Sequence, residues 1–272
     1  MKNLLNFTIY WLFIFIFCTF FICNLNNKST QTLALTNPKK SNEILPLESE
    51  LQEYQIFEHS VPTTTENPKE FFEPTDTVPS RNYTVVIDAG HGSPDPGSIG
   101  YKTKVLESEI NLKLSKLLKE KLEDAGINVV LTRETENGLA EGRGKAFKKR
   151  DMEMRKEIIK KTRPNLVLSI HQNSYTNHSL KGAQVFYDKS SEISKQIAES
   201  IQNEFIKHLE NSNKCTSPGD YYMLKCSSAP SVIVECGFLS NAEEEQLLQT
   251  QTYQQKIVDA LYFGIVNFLQ SK

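Results

Sequence analysis

Residues 83–100 read YTVVIDAGHGSPDPGSIG, a near-continuous apolar run that breaks into a glycine-rich turn. A run of that kind fits a strand buried on both faces, as in a parallel sheet, better than a half-exposed strand with strict alternation. The turn holds Gly90, His91, Gly92 and Gly97. A dinucleotide-binding loop needs a third glycine where Asp95 stands, and Pro94 and Pro96 block an immediate helix, which counts against nucleotide binding. The simpler role of these glycines is to let the backbone turn tightly after the strand and present His91.

Working outward, residues 106–126, LESEINLKLSKLLKEKLEDAG, have the period of an amphipathic helix with Gly126 as its C-terminal cap. INVVLTR (127–133), NLVLSIH (165–171), GAQVFY (182–187) and APSVIVE (229–235) read as strands. A very basic helix is expected over 141–163, ended by Pro164. Further helices are expected over 190–209, with Ile193, Ile197, Ile201 and Phe205 on one stripe, and over 253–269 through Ile257, Leu261, Ile265 and Phe268. Strands alternating with helices imply an α/β fold: a single twisted, mostly parallel sheet with helices on both faces. Residues 82–272 are expected to form this domain, long enough for one good core.

The preceding residues have a different character. Residues 4–23, LLNFTIYWLFIFIFCTFFIC, carry no charge and are long enough to span a bilayer as a helix. A signal peptide normally has a shorter apolar core and a small-residue cleavage site, and FFICNLNNK lacks one. Residues 1–23 are therefore expected to be a signal anchor, with a cleaved signal peptide or a buried core helix as the alternatives; either of the first two exports the rest. Residues 24–81 are rich in Asn, Thr, Pro, Glu and Ser and read as a flexible linker. The expected location is extracytoplasmic, either membrane-anchored or secreted.

The formal net charge of −2 gives no global reason to expect a nucleic-acid partner. Lys145, Lys148, Lys149, Arg150, Arg155, Lys156, Lys160, Lys161 and Arg163, interleaved with Asp151, Glu153 and Glu157, read as a solvated helix face, or more sharply as a contact for an anionic wall polymer or lipid. Cys215, Cys226 and Cys236 match no zinc ribbon, though a Cys215–Cys226 disulfide would suit an extracellular protein. His59, His178 and His208 read as surface residues without partners.

Four residues carry chemistry. His91 and His171 each follow a strand, and active crevices of open α/β sheets lie at the carboxyl ends of strands. A lone histidine there is more often a hydrogen-bonded structural residue, and two at equivalent strand ends bring a converging pair level with that reading. Glu107 shares a helical face with Ile110, Leu114 and Leu118, so it points inward, whereas Glu109 points outward. Favourable interaction with the helix dipole, worth about 0.3–1 kcal/mol, accounts for a glutamate at a helix start but not for its direction. A metal ion would satisfy the buried charge. Glu235 ends an apolar strand, where a strand-end salt bridge is the plainer reading. Two histidines and one carboxylate with an open position form a catalytic type of zinc site, which needs a separate carboxylate to move protons; Glu235 fits that role.

Together, VVIDAGHGSPDPGSIG, VLESEINL, LVLSIHQNS and SVIVECGFLSN resemble the motifs of the zinc-dependent N-acetylmuramoyl-L-alanine amidases of the amidase-3 type, in order, over about residues 83–270. The resemblance implies Zn²⁺ held by His91, Glu107 and His171, with Glu235 as the catalytic carboxylate. It implies peptidoglycan as substrate and the same α/β fold. Asn173 and Arg155 resemble positions that support the site from behind. A glycine usual shortly before the zinc glutamate is missing in YKTKVLE. No wall-binding repeat flanks the domain, and no long helical insertion separates His171 from Glu235. YYMLKCSSAPSVIVECGF resembles the spore-cortex, germination-specific subgroup. The domain is expected to be monomeric, with the membrane met through the N-terminal segment and an accessory wall enzyme or activator as a further partner. Two alternatives remain: a zinc peptidase acting on the stem peptide, and a non-catalytic wall-binding regulator.

Overall fold

The structure, a computed structural model, describes residues 83–212 and 214–271, all within one compact unit. The expected anchor and linker lie outside the described residues. Among the described residues no helix is long and apolar enough to cross a membrane.

Six strands form one sheet: β1 (Thr84–Ala89), β2 (Asn128–Leu131), β3 (Leu166–Asn173), β4 (Gln184–Tyr187), β5 (Ser217–Pro218) and β6 (Ser231–Phe238). Six helices accompany them: α1 (Glu107–Asp124), α2 (Gly144–Thr162), α3 (Glu192–His208), α4 (Tyr222–Lys225), α5 (Ala242–Leu248) and α6 (Gln251–Gln270). The strand order is β2-β1-β3-β6-β4-β5. β1, β2, β3 and β6 run parallel, and β4 lies antiparallel to β6. The chain leaves β1 for β2 on one side and returns past it to β3 on the other. That reversal opens a crevice beyond the carboxyl ends of β1 and β3, where such sheets bind ligands.

Alternate residues of the central strands serve two cores. Ile87, Leu168, Ile170 and Val234 pack with α1, α3 and α6 through Leu114, Leu118, Ile201, Phe205, Leu261 and Ile265. Val86, Val167 and Ile233 pack on the other face with Ile159 of α2 and Met223 and Leu224 of α4. Burial on both faces is why these strands read as unbroken apolar runs. Helix starts follow their capping residues: Ser191 accepts from Ser194 N at 3.2 Å, and Asn241 accepts from Glu243 N at 3.0 Å. Gly126 has φ +80 after α1, the left-handed cap its position suggested.

The structure corrects several expectations. Ile193 is largely exposed; the buried stripe of α3 starts at Ser194. Cys215, Cys226 and Cys236 are free thiols, with Cys215 exposed and the other two buried. On α2 the buried stripe is Phe147, Asp151, Arg155 and Ile159, so Arg155 and Asp151 face inward rather than solvent. His178 bonds the Ser240 carbonyl through Nδ1 at 2.7 Å and packs on Tyr101, and His208 stacks on Phe263. β5, α4 and α5 are too short to have shown a period in the sequence.

Candidate functional site

β1 delivers the chain into Gly90, and His91 follows in the left-handed region at φ 61. A non-glycine residue there is strained and persists only where its surroundings hold it. Two arginines do so by binding successive carbonyls. Arg133 donates Nε to Ala89 O at 2.9 Å and Nη2 to Gly90 O at 3.0 Å. Arg155 donates Nη1 to Ala89 O at 2.8 Å and Nη2 to His91 O at 2.5 Å. Arg155, itself 1% exposed, is neutralised by Asp88 at 2.7 Å and Asp151 at 2.7 Å. Burial alone would raise the Asp88 carboxyl, but Arg155, Ser169 and Thr132 outweigh it and bring the group down to about 2.

His91, Glu107 and His171 come together, each offering a ligand atom within 4.8 Å of the others. Glu107 Oε1 lies 3.2 Å from His91 Nε2 and 2.9 Å from His171 Nδ1. Its Oε2 accepts from Ser98 N at 2.7 Å, and Oε1 also accepts from Gln172 N at 3.1 Å. Burial opposes the charged carboxylate, but the two imidazoles overcome it and hold Glu107 far below the usual range. The imidazole rings stand edge to face with centroids 4.9 Å apart. His91 Nδ1 lies 3.0 Å from Asp95 Oδ2, an arrangement that fixes the ring and turns Nε2 inward. Despite burial, Asp95 and Glu107 raise the His91 pKa to about 9.

Glu235 stands opposite His171 in the β3–β6 ladder. Burial pushes its carboxyl up to about 7, and its buried Oε2 has no hydrogen-bond partner. An orphaned carboxylate oxygen beside a cluster of two imidazoles and a carboxylate fits a cation-centred site. Asn173, two residues past His171, lies beyond a register shift and pairs with Phe238. Its carbonyl accepts from Leu239 N at 2.8 Å.

A cleft of about 250 Å³ opens beside the cluster, between α2 and α4. Lys148, Met152, Tyr221 and Tyr222 form its sides, with His91 and His171 at its head.

The sequence reading did not single out Asp88, Asp95, Asn111 or Arg133. Asn111 donates to Gly90 O at 3.1 Å and accepts from Gln172 Nε2 at 3.1 Å. Its signal was available, since it lies one helical turn past Glu107 on the inward face. Lys104, in the segment lacking its usual glycine, has φ 64. Glu245 braces that loop by accepting from Lys102 N at 2.7 Å and Thr103 N at 2.6 Å.

The family described as N-acetylmuramoyl-L-alanine amidase, Amidase_3, matches residues 85–267. The germination-specific N-acetylmuramoyl-L-alanine amidase of Bacillus subtilis is 31% identical over 200 residues, covering 72% of this chain and 84% of that protein. Among solved structures, the CwlD amidase from Clostridioides difficile, in complex with the GerS lipoprotein, is 38% identical with a TM-score of 0.68. That match covers 70% of this chain and 100% of the CwlD chain. The catalytic domain of CwlV, an N-acetylmuramoyl-L-alanine amidase from Bacillus (Paenibacillus) polymyxa var. colistinus, is 27% identical, covers 70% of this chain and 99% of its own, and has a TM-score of 0.62. The matched span runs from β1 into α6 and takes in the whole cluster, so the chain belongs to the N-acetylmuramoyl-L-alanine amidase family.

Proposed function

We propose that this chain hydrolyses the amide bond between N-acetylmuramic acid and L-alanine in peptidoglycan, using a zinc ion on His91, Glu107 and His171 and Glu235 as the proton carrier. The observation that carries this reading is the half-buried Glu235 carboxylate, in register with His171, with a buried oxygen that no protein group satisfies. Zinc at the cluster supplies a Lewis acid that acidifies water and polarises a carbonyl. Asp95 holds His91 at Nδ1 and leaves Nε2 for the ion, while Ser98 N keeps the Glu107 carboxylate turned towards both rings.

Glu235 takes a proton from the water that attacks the lactyl carbonyl and delivers it to the departing L-alanine nitrogen. The carbon–nitrogen bond breaks, leaving a lactyl carboxylate on the sugar and a free amino end on the peptide. Burial raises this carboxyl above an ordinary glutamate, which suits a group that must both take up a proton and give it back. The cleft between α2 and α4 gives the glycan side an aromatic wall in Tyr221 and Tyr222.

The germination-specific relative and the CwlD likeness support a role in spore-cortex remodelling, with a lipoprotein as accessory partner. The apolar run 4–23 supports anchoring outside the membrane.

The test is to give the zinc-loaded full chain peptidoglycan and identify the released products by mass spectrometry. Stem peptides with a free L-alanine amino end, together with glycan bearing bare lactyl groups, are expected. Shortened peptides still joined to sugar would replace this reading with a stem-peptide peptidase.

A further inference from the structure

Gln184 is the cross-strand partner of Glu235 on β4, as His171 is on β3. Directly paired residues share a face, so His171, Glu235 and Gln184 form a row across three strands. Gln184 Nε2 donates to the Cys215 carbonyl at 2.9 Å and to Ser217 Oγ at 3.0 Å. These bonds fasten the segment entering β5 to the end of the row. Lys214, just before that segment, places its Nζ 4.2 Å above the ring of Phe238. Phe238 is three residues past Glu235 on the same strand, and its ring is buried.

The Lys214 ammonium is half-buried and makes no ion pair among the described residues. Glu244, a nearby carboxylate, is already taken up by Gly182 N at 2.9 Å, Phe238 N at 2.8 Å and Asn211 Nδ2 at 2.5 Å. Burial disfavours the charged amine, against the pull of Glu244 and Glu235. A partly desolvated cation held over the ring of Phe238, three residues along β6 from Glu235, lacks an anionic partner of its own.

We propose that Lys214 is a positioning residue that binds a substrate carboxylate beside Glu235, namely the free carboxylate on the second residue of the stem peptide. This rests on the amidase reading above. Neighbouring strands lie about 4.8 Å apart, so the row from His171 to Gln184 spans roughly 10 Å. An extended peptide covers at most about 3.6 Å per residue, so the carboxylate of the second residue lies within about 7 Å of the amide to be cut, inside the length of that row. The second residue, a D-glutamate joined through its side chain, leaves its α-carboxylate free or amidated. Lys214 makes the enzyme favour the free acid.

The experiment compares N-acetylmuramoyl-L-alanyl-D-glutamate with N-acetylmuramoyl-L-alanyl-D-isoglutamine, each with its side-chain carboxyl capped as the methylamide so that only the α-position differs, using the zinc-loaded full chain. The unsubstituted protein is expected to prefer the acid. Lys214→Met keeps an aliphatic stem over Phe238 and removes the charge. It is expected to cut kcat/KM for the acid about tenfold, mainly through KM, and to change the amide less than about twofold. Lys214→Arg is expected to restore the preference. Equal losses on both substrates, or no loss on the acid, overturn the assignment. If the unsubstituted chain cleaves neither compound, the amidase reading fails, and binding of L-alanyl-D-glutamate γ-methylamide by titration calorimetry still decides Lys214. Weaker binding to Lys214→Met upholds its role, and equal binding overturns it.

Discussion

Arg155 Nη2 donates to the main-chain carbonyl of His91 at 2.5 Å, so a residue from the middle of a basic helix fixes the backbone of a metal-binding candidate. The same guanidinium meets Asp88, Asp151 and Ala89 O, filling its planar fork. Arg155→Met would leave two buried carboxylates unpaired and release the strained His91 backbone. Breaking a buried pair from one side costs about 3–5 kcal/mol. Chemical denaturation should show a loss of that order, with weaker zinc binding. Arg155→Lys should recover little, because an ammonium cannot span the same acceptors. A lysine variant as stable as the unsubstituted chain would refute the fork argument.

Asp88 makes the acid limb of stability testable. Its carboxyl sits at about 2 in the fold against 3.8 when unperturbed. A folded pKa below the unfolded one stabilises above the unfolded value and is lost as pH falls through the folded one. About 2 kcal/mol should therefore disappear between about pH 4 and pH 2. Asp88→Asn should be less stable at neutral pH and show a flatter profile through that window. Parallel profiles for the two proteins would exclude Asp88 as the source.

The sheet and the cluster were legible because their signals are local. TVVIDA, LVLSI and SVIV are buried on both faces, and the polar residue ending each run then stands out at one sheet edge. Glu107 was placed by helical phase alone. Of the support behind the cluster, Arg155 was signalled only by the family resemblance, and periodicity concealed it for the opposite reason. Asp151 and Arg155 share the buried stripe of α2 with Phe147 and Ile159, but charged residues at helical spacing read as a wet surface unless the partner carboxylate, Asp88, is known to lie opposite. Asp95 stands out in the sequence only as a position that is not glycine, and nothing there marks it as a partner four residues from His91. Lys214 depends on a cross-strand pairing that no sequence period announces.

Gly90 is required by a close approach. A Cβ there would fall on the His171 ring, 2.7 Å from its Nδ1. Gly90→Ala should swing that ring away from Glu107 and cost about 1–3 kcal/mol through overpacking. Zinc affinity should fall about 10–100-fold, as when ligand orientation is disturbed. Competition titration measures this, and an alanine variant with unchanged affinity would show that His171 is not held by that contact.

Glu235→Gln separates chemistry from stability. Turnover on peptidoglycan should fall by about 10²–10⁴, the usual contribution of a positioned acid–base group, with zinc affinity little changed. The folded carboxyl is pushed up to about 7 against 4.5 unperturbed. A raised acid pKa destabilises the fold increasingly as pH rises from the unfolded value to the folded one. The metal-free glutamine variant should therefore match the parent near pH 4 and exceed it by roughly 3 kcal/mol at pH 8. A variant that still turns over normally would remove Glu235 from the reaction.

Zinc and protons should compete at His91. Between Asp95 and Glu107, against the effect of burial, its imidazole is raised to about 9, so the metal-free ring carries a proton at neutral pH. The ion must displace that proton, since only the neutral ring is a ligand. Apparent zinc affinity should climb about tenfold per pH unit between about 7 and 9 and level off above, with about one proton released per ion near pH 7. Asp95→Asn withdraws one of the two carboxylates that hold the proton. Its affinity should rise less steeply with pH and release less than a full proton at neutrality. The same variant also frees the ring to rotate, so its limiting affinity at high pH should be weaker than the parent's. Affinity that stays flat from pH 7 to 9 in the unsubstituted chain, measured against a coloured chelator, would mean that His91 is neutral before the metal arrives and that Asp95 orients the ring without charging it.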